Sequence, residues 1–446
     1  MYESTFHLGM RIHCTYGTPA VDSLNHLLLL PLVVDYKFPI RLQEGLRIYQ
    51  ALWLCDRVSY IHLHLPPSIM RQFLVFMGAH FPRLDHLSLS ITGNKFTTLT
   101  LPKAFHAPTL RHLDIPCISP PRRLKLLTST VSLVTLVLKN IQTSSYFRPR
   151  LLASRIWSLP QPEELSIGFS IPIPRPSSER ELLGEPGAPV TLPNLKTLRF
   201  RGVSTYLESF VAQVRVPLLE RLDITLFNQI AFALPHLFHL INIPEGFKLP
   251  TAKVFFDRGG VSITTAHHSS RRSDEPFRLH VMCEQLDWQI DCAIQICSML
   301  IPAPSDVERF TLDFYDRTLP IELQDGGIDS TTWLELLSSF IGMKELRVCG
   351  GLLEELCRAL QVDEVGSNPG FLPDLQDIVC NSRGVVFDKV LENNLLASFI
   401  DARRITGHPV RFLRWRPRIK PKLPTHDVFI IKNLPSPSKA YINTNT

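Results

Sequence analysis

Residues 192–200 read LPNLKTLRF, and this nonapeptide decides how the rest of the chain is read. Its last residues alternate, so Leu198 and Phe200 face one side of a short strand and Thr197 and Arg199 face the other. Pro193, two positions before Leu195, blocks a preceding helix and biases its neighbour toward extended geometry. The frame recurs as FPRLDHLSL (81–89), APTLRHLDI (107–115), VPLLERLDI (216–224) and LPDLQDIVC (372–380). Looser copies without the marker proline are LLPLVV (29–34), VSYIHL (58–63), LVTLVL (133–138), PEELSI (162–167), VERFTL (307–312) and MKELRV (343–348). The unit reads as helix, stop, strand.

From Leu29 to Leu219 successive copies begin 23 to 33 residues apart, mostly within the roughly 20–29 residues of a leucine-rich repeat. The segments between them carry helical periodicity. In 204–214 Leu207, Phe210, Val211 and Val214 share a face behind a capping box of Thr205 and Glu208. Leu353, Leu356, Cys357 and Leu360 do the same in 351–361, as do Ile69, Phe73, Phe76 and Met77 in 68–77. A strand and an amphipathic helix, repeated, bury a core only by stacking on their neighbours. The expected fold is therefore α/β, an irregular leucine-rich-repeat solenoid over residues 29–412, with a curved parallel sheet inside and helices outside.

The array is uneven. Insertions are expected near 170–190 and 257–276, the second inside a hairpin of VSIT (261–264) and FRLHVMC (277–283). A helix of about 15 residues ending near Leu300 should follow. The usual Asn or Cys after the strand is replaced by Thr92, Ile118, Val203 and Phe227, which predicts a flattened arc. Residues 1–28 form a separate N-terminal segment, and 413–446 a basic, proline-interrupted tail expected to be disordered.

The net charge of +6 lies in that C-terminal part. Residues 411–446 hold eight Lys/Arg and one acid, leaving 39 basic and 40 acidic residues elsewhere. A near-neutral body has no overall electrostatic reason to bind nucleic acid or an anionic membrane. Within the tail, RFLRWRPRIKPK (411–422) offers either a localisation or single-strand nucleic-acid signal or, as favoured here, a solvated extension. Nine scattered cysteines without a C-x-x-C pair, and no glycosylation sequon or leader, point to reduced thiols and a cytoplasmic or nuclear protein.

Function is expected on the sheet face opposite the leucines. Alternation along the strands sends Tyr60, His62, His64, His86, His112, Asp114, Arg199, Arg201, Arg221, Asp223, Arg309 and Arg347 there. These residues form a groove for a protein partner, rich in His and Tyr at one end and in Arg at the centre. The plainer reading is the solvated polar face of any half-exposed sheet. Arg199, Arg201 and Arg221 should form one positive patch, suited to an acidic or phosphorylated segment. No cofactor is expected.

Metal binding has one candidate set, His280, Cys283, Cys292 and Cys297. Residues three apart on a strand face opposite sides, and those five apart on a helix stand about 140° apart. The set does not converge as four zinc ligands must. No nucleophile elbow, zinc-protease, Walker or dinucleotide motif is present, so a non-enzymatic protein is expected, with an enzyme of unknown class as the distant alternative.

Four longer strings are more specific than the repeat: VTLPNLKTLRFRGVSTYLESFVAQV (190–214), DRVSYIHLHLP (56–66), QLDWQI (285–290) and FIDARRITGHPV (399–410). They resemble F-box proteins of mushroom-forming fungi, in which an F-box precedes an irregular leucine-rich-repeat region. The resemblance covers nearly all of 29–412. It implies that the repeats hold a protein substrate and that an F-box docks onto the adaptor of a cullin-type ubiquitin ligase. Residues 1–28 contain no such leucine-proline helical module. Adaptor binding is thus expected only where an F-box lies upstream, and a repeat-only scaffold or decoy is the alternative.

Overall fold

The computed structural model describes residues 10–12, 31–37, 42–93, 99–119, 125–142, 147–159, 162–170, 189–227, 232–242, 250–266, 275–300, 307–314, 329–349, 352–361, 370–381 and 396–414. The 170–190 insertion, except its ends, and the tail from 415 on lie outside them.

In chain order the strands are β1 (Met10–Ile12), β2 (Leu32–Lys37), β3 (Val58–Leu65), β4 (His86–Ile91), β5 (Leu99–Thr100), β6 (His112–Asp114) and β7 (Ile118–Ser119). Next come β8 (Thr135–Ile141), β9 (Glu164–Phe169), β10 (Val190–Thr191), β11 (Thr197–Gly202), β12 (Val214–Arg215) and β13 (Arg221–Leu226). The remainder are β14 (Thr251–Asp257), β15 (Gly260–Ala266), β16 (Phe277–Met282), β17 (Arg309–Phe314), β18 (Glu345–Cys349), β19 (Asp377–Asn381) and β20 (Arg411–Arg414).

Sixteen of them form one sheet, in the order β1-β2-β3-β4-β6-β8-β9-β11-β13-β16-β15-β14-β17-β18-β19-β20. All neighbours are parallel except the two pairs made by β15. The fold is mixed α/β with a large, mostly parallel sheet and helices between many of its strands.

The tandem motif explains the pairing at atomic level. In X-Pro-x-Leu the Leu N–H donates to the carbonyl of X: Leu84 to Phe81, Leu110 to Ala107, Leu195 to Leu192 and Leu219 to Val216. This is a β-turn with proline at its second position, where its fixed φ fits. The residue after the Leu then offers one carbonyl to two N–H groups of the next strand. Asp85 accepts from Arg111 and His112, Arg111 from Val134 and Thr135, Val134 from Glu163 and Glu164, and Glu163 from Lys196 and Thr197. Lys196 accepts likewise from Glu220 and Arg221, and Glu308 from Lys344 and Glu345.

The proline's role differs from the one expected. In front of Pro193 and Pro217 lies not a helix but a second small ladder, β10 paired with β12. His80 and His106 make the same step as an isolated bridge in front of Pro82 and Pro108. In the two units where every piece is described, 67–91 and 204–226, the order is helix, short extended piece, turn, strand, and Val214 belongs to β12 rather than to the helix.

On the inner side Leu84, Leu87, Leu89, Leu110, Leu113, Leu195, Leu198, Leu222 and Ile224 are buried, in one cluster with the helix residues Leu207, Phe210, Leu353 and Leu356. Three local expectations shift. The helix Pro67–Phe76 buries Met70, Phe73 and Leu74, and Met77 follows them inward, while Phe76 is exposed. Its stripe thus starts one residue later than Ile69. The helix Ser204–Val211 has no side-chain cap. Glu208 instead reaches the start of the next helix, Pro235–Asn242, accepting from the N–H groups of His236 and Leu237 at 3.0 and 2.9 Å and meeting His236 Nδ1. Tertiary capping satisfies two otherwise orphaned donors and outcompetes the local box.

The described part of the 257–276 insertion is largely sheet. β14 and β15 form a tight hairpin closed by Gly260, where an added Cβ would stand 1.9 Å from the Val281 carbonyl oxygen. β15 and β16 pair as expected, residues 267–274 lie outside the described part, and the helix Leu286–Leu300 has the expected length. Where Thr92 and Phe227 replace the usual side-chain amide, their own N–H groups bond Leu65 and Gly202 carbonyls. At the C-terminal end the buried Arg403 donates to the carbonyls of Phe371, Leu372 and Pro373. It braces Leu372, whose φ of +48 is costly for a residue with a side chain before proline.

Two substitutions test this architecture by urea denaturation. Leu198→Ala should cost about 2–5 kcal/mol, against less than about 1 kcal/mol for Thr197→Ala on the other face. Equal costs would contradict the strand's facing. Glu208→Ala should cost about 1–2 kcal/mol, and Glu208→Gln, which keeps one acceptor oxygen, should cost less.

Candidate functional site

In-register pairing turns the outward side chains into three rows across the sheet. The first runs Tyr60, His86, His112, Thr135, Glu164, Thr197 and Arg221, and resumes beyond the hairpin as Arg309, Glu345, Asp377 and Arg411. The second runs Asp35, His62, Ser88, Asp114, Val137, Ser166, Arg199, Asp223, Arg278, Thr264, Lys253, Thr311 and Arg347. The third holds His64 and Ser90 near β3 and, further on, Gly168, Arg201, Thr225, His280, Ser262, Phe255 and Asp313. All twelve residues expected on this face lie in these rows.

At the β3–β6 end the rows form an aromatic platform. The Tyr60 and His86 rings stack at 4.4 Å and 10°, and His86 meets His112 at 5.6 Å and 40°. Burial drives the His86 pKa down to about 4, helped by His112 and His62 and opposed by Asp85. The ring is thus neutral and can stack without desolvating a charge. Burial also raises the Asp114 carboxyl, with Lys139 and His62 acting against it. Its Oδ1 is buried and has no hydrogen-bond partner.

The remainder of the face is organised by ion pairs between neighbouring strands. Arg199 pairs with Glu164, Lys253 with Asp313 at 2.7 Å, Arg309 with Glu345 at 2.9 Å, and Arg411 with Asp377 at 2.7 Å, while Arg347 also meets Glu345. Such half-exposed pairs set the register of charge more than they stabilise. They also correct the expectation of a single positive patch at Arg199, Arg201 and Arg221. Glu164 takes up Arg199, and Asp223 lies in register between Arg199 and Arg278. Among the described residues the arginines of this face that make no ion pair with an acid are Arg201, Arg221 and Arg278, on β11, β13 and β16.

Sequence reasoning missed Arg278 and Lys253 because the β14–β16 block lacks the leucine motif. The period of two in FRLHVM (277–282) was the available signal. Three imidazole–hydroxyl contacts, His64 with Ser90 at 2.6 Å, His112 with Thr135 at 3.1 Å and His280 with Ser262 at 2.8 Å, all join direct register partners. Cross-strand pairing accounts for each of them.

The residues weighed as metal ligands are otherwise engaged. The thiols of Cys283 and Cys292 hydrogen-bond each other, which lowers the first and raises the second, and His280 faces Ser262. Among the described residues no group of three or more His, Cys, Asp or Glu converges. No helix there is long and apolar enough to cross a membrane. No protein-family model and no curated protein matches the sequence.

The platform makes a pH prediction. The folded pKa of His86, about 4, lies below its unbound value of 6.5. Below pH 6.5 the unfolded chain therefore takes up a proton that the folded chain refuses, and stability falls toward pH 4. His86→Phe keeps the stack and removes the proton site. Its melting temperature should decline less than wild type between pH 7 and 4.5, and parallel declines would refute the assignment.

Proposed function

We propose that the chain is a leucine-rich-repeat solenoid whose polar sheet face binds another protein, as in the substrate-recognition part of an F-box-type ubiquitin ligase subunit. The observation that carries the reading is the continuity of the face. From β3 to β18 the outward positions stay in register and are mostly polar, with Tyr, His, Arg, Lys, Asp and Glu set among Ser and Thr, over a core built from the repeated leucines. Tyr and Arg are the residues that anchor protein interfaces. The shared-carbonyl step from unit to unit supports the solenoid reading, since each unit buries its core only against the next. The resemblance of 29–412 to the fungal F-box proteins supports a recognition role.

One observation favours a second reading, a scaffold or decoy without ligase contact. Met10–Ile12, inside the segment where the family places its helical F-box, is a strand paired with β2. On either reading the chain is a binding protein.

Two experiments separate these possibilities. Reversal of Arg221 and Arg278 to Glu should reduce recovery of a cross-linked protein partner about tenfold or more, with an unchanged melting transition. The same reversal at Arg71 and Arg150, on the helical side, should leave recovery intact. Equal behaviour of the two double variants would place binding off the sheet face. In size-exclusion chromatography the chain with a family F-box grafted before Leu29 should co-elute with the ligase adaptor and the ungrafted chain should not. Co-elution of the ungrafted chain would remove the scaffold reading.

A further inference from the structure

Within that face the strands β11, β13 and β16 form a compact grid. Arg201, Thr225 and His280 are register partners along one row, and Arg199, Asp223 and Arg278 along the row beside it. Backbones two strands apart stand about 10 Å from each other, so the outer side chains can lean over the Thr225 hydroxyl from both sides. Arg201 has an apolar floor, with its guanidinium 5.9 Å from the Phe227 ring centre and Nη2 3.9 Å from Met282 Sδ. Its Nε is buried and has no hydrogen-bond partner. Arg278 and Arg221 are exposed.

We propose that Arg201, Thr225, Arg278 and His280 form an anion subsite for a phosphate monoester, carried on a serine or threonine of the bound protein. The proposal rests on the recognition reading above and names the chemistry of its centre. Arg201 and Arg278 make no ion pair among the described residues, and their two guanidinium groups, with the Thr225 hydroxyl and the His280 ring, offer more donors than one carboxylate takes up, which suits the three oxygens of a phosphate monoester. Guanidinium groups match phosphate oxygens in two-pronged geometry, and they do so best when held in place beforehand, as Arg201 is by Phe227 and Met282. The Ser262 hydroxyl lies 2.8 Å from His280 Nδ1. With Nδ1 accepting from that hydroxyl, Nε2 carries the proton and can donate to the anion. Burial, with Arg278 and Arg201, lowers the His280 pKa, while Asp257 and Asp223 oppose the shift. A bound dianion between those arginines would reverse much of that repulsion.

The test uses the full chain and three probes: N-acetyl-phosphothreonine methylamide, its unphosphorylated counterpart, and sulfate. Calorimetry should show the phosphorylated probe binding about tenfold or more tightly than the other two. Arg201→Gln and Arg278→Gln should each weaken it about tenfold, while Arg71→Gln leaves it unchanged. Histidine-labelled NMR should show the His280 pKa rising on saturation, which a merely structural His280 would not do. Equal binding of sulfate and phosphothreonine, indifferent to the arginine variants, would mean an adventitious ion only and overturn the subsite. Indifference of the wild-type chain to the phosphorylated probe, with partner capture still lost on reversal of Arg221 and Arg278, would overturn the subsite and leave protein recognition standing. Phosphothreonine binding without any protein held on the face would keep the anion chemistry and remove its protein source.

Discussion

Everything in this molecule depends on the in-register pairing of successive parallel strands. Equivalent residues stand about 4.8 Å apart on neighbouring strands. Whatever occupies a motif position is therefore stacked on its own kind along the whole sheet. For the leucines this is favourable, because Leu87, Leu113, Leu136, Leu165, Leu198 and Leu222 fill one another's flanks and leave no water between them. For charged residues it would be costly, since like charges directly opposite repel. The chain answers mostly by setting opposite signs side by side: Glu163 pairs with Lys196, Glu308 with Lys344 and Asp377 with Arg411, while Glu164 reaches Arg199 on the diagonal; where Glu345 lies opposite Asp377, Arg309 and Arg411 flank the two acids.

The same constraint explains the histidine-rich end. A row of like side chains is tolerable there because stacked aromatic rings attract, provided they carry no charge. His86, at the centre of the platform between Tyr60 and His112, meets that condition because burial keeps it neutral. Where the row leaves the aromatic platform it passes through Thr135 to Glu164, and ion pairing takes over from stacking. The face thus has two chemical zones produced by one geometric rule.

The β14–β16 block is where the rule is broken and then restored. After β13 the chain skips two places in the sheet, lays down β14, reverses through Gly260 into β15, and returns beside β13 as β16. Reversal costs nothing in hydrogen bonds, because antiparallel and parallel ladders both satisfy every main-chain group. It preserves facing as well, so Val261, Ile263, Leu279 and Val281 continue the core and Ser262, Arg278 and His280 continue the polar rows. Of the three arginines without an ion pair among the described residues, Arg221 and Arg278 flank the seam between β13 and this block and Arg201 lies one strand before it.

The sequence by itself determined the α/β class, most strand positions in the leucine-marked units and the facing of all twelve site candidates. The physical reason is that period-two alternation and the X-Pro-x-Leu turn act over fewer than ten residues. Local rules failed wherever a partner came from far along the chain. Glu208 caps a helix 28 residues away, Arg403 braces a turn 31 residues before it, and β14 finds its place only beside β17. The tertiary structure also decided which charges are spent on each other. Arg199 and Arg201 are indistinguishable in LPNLKTLRFR, yet Glu164 lies within reach of the first and Phe227 with Met282 of the second. That difference is set by the neighbouring strands, because an arginine's partner comes from whichever side chains those strands bring within its reach.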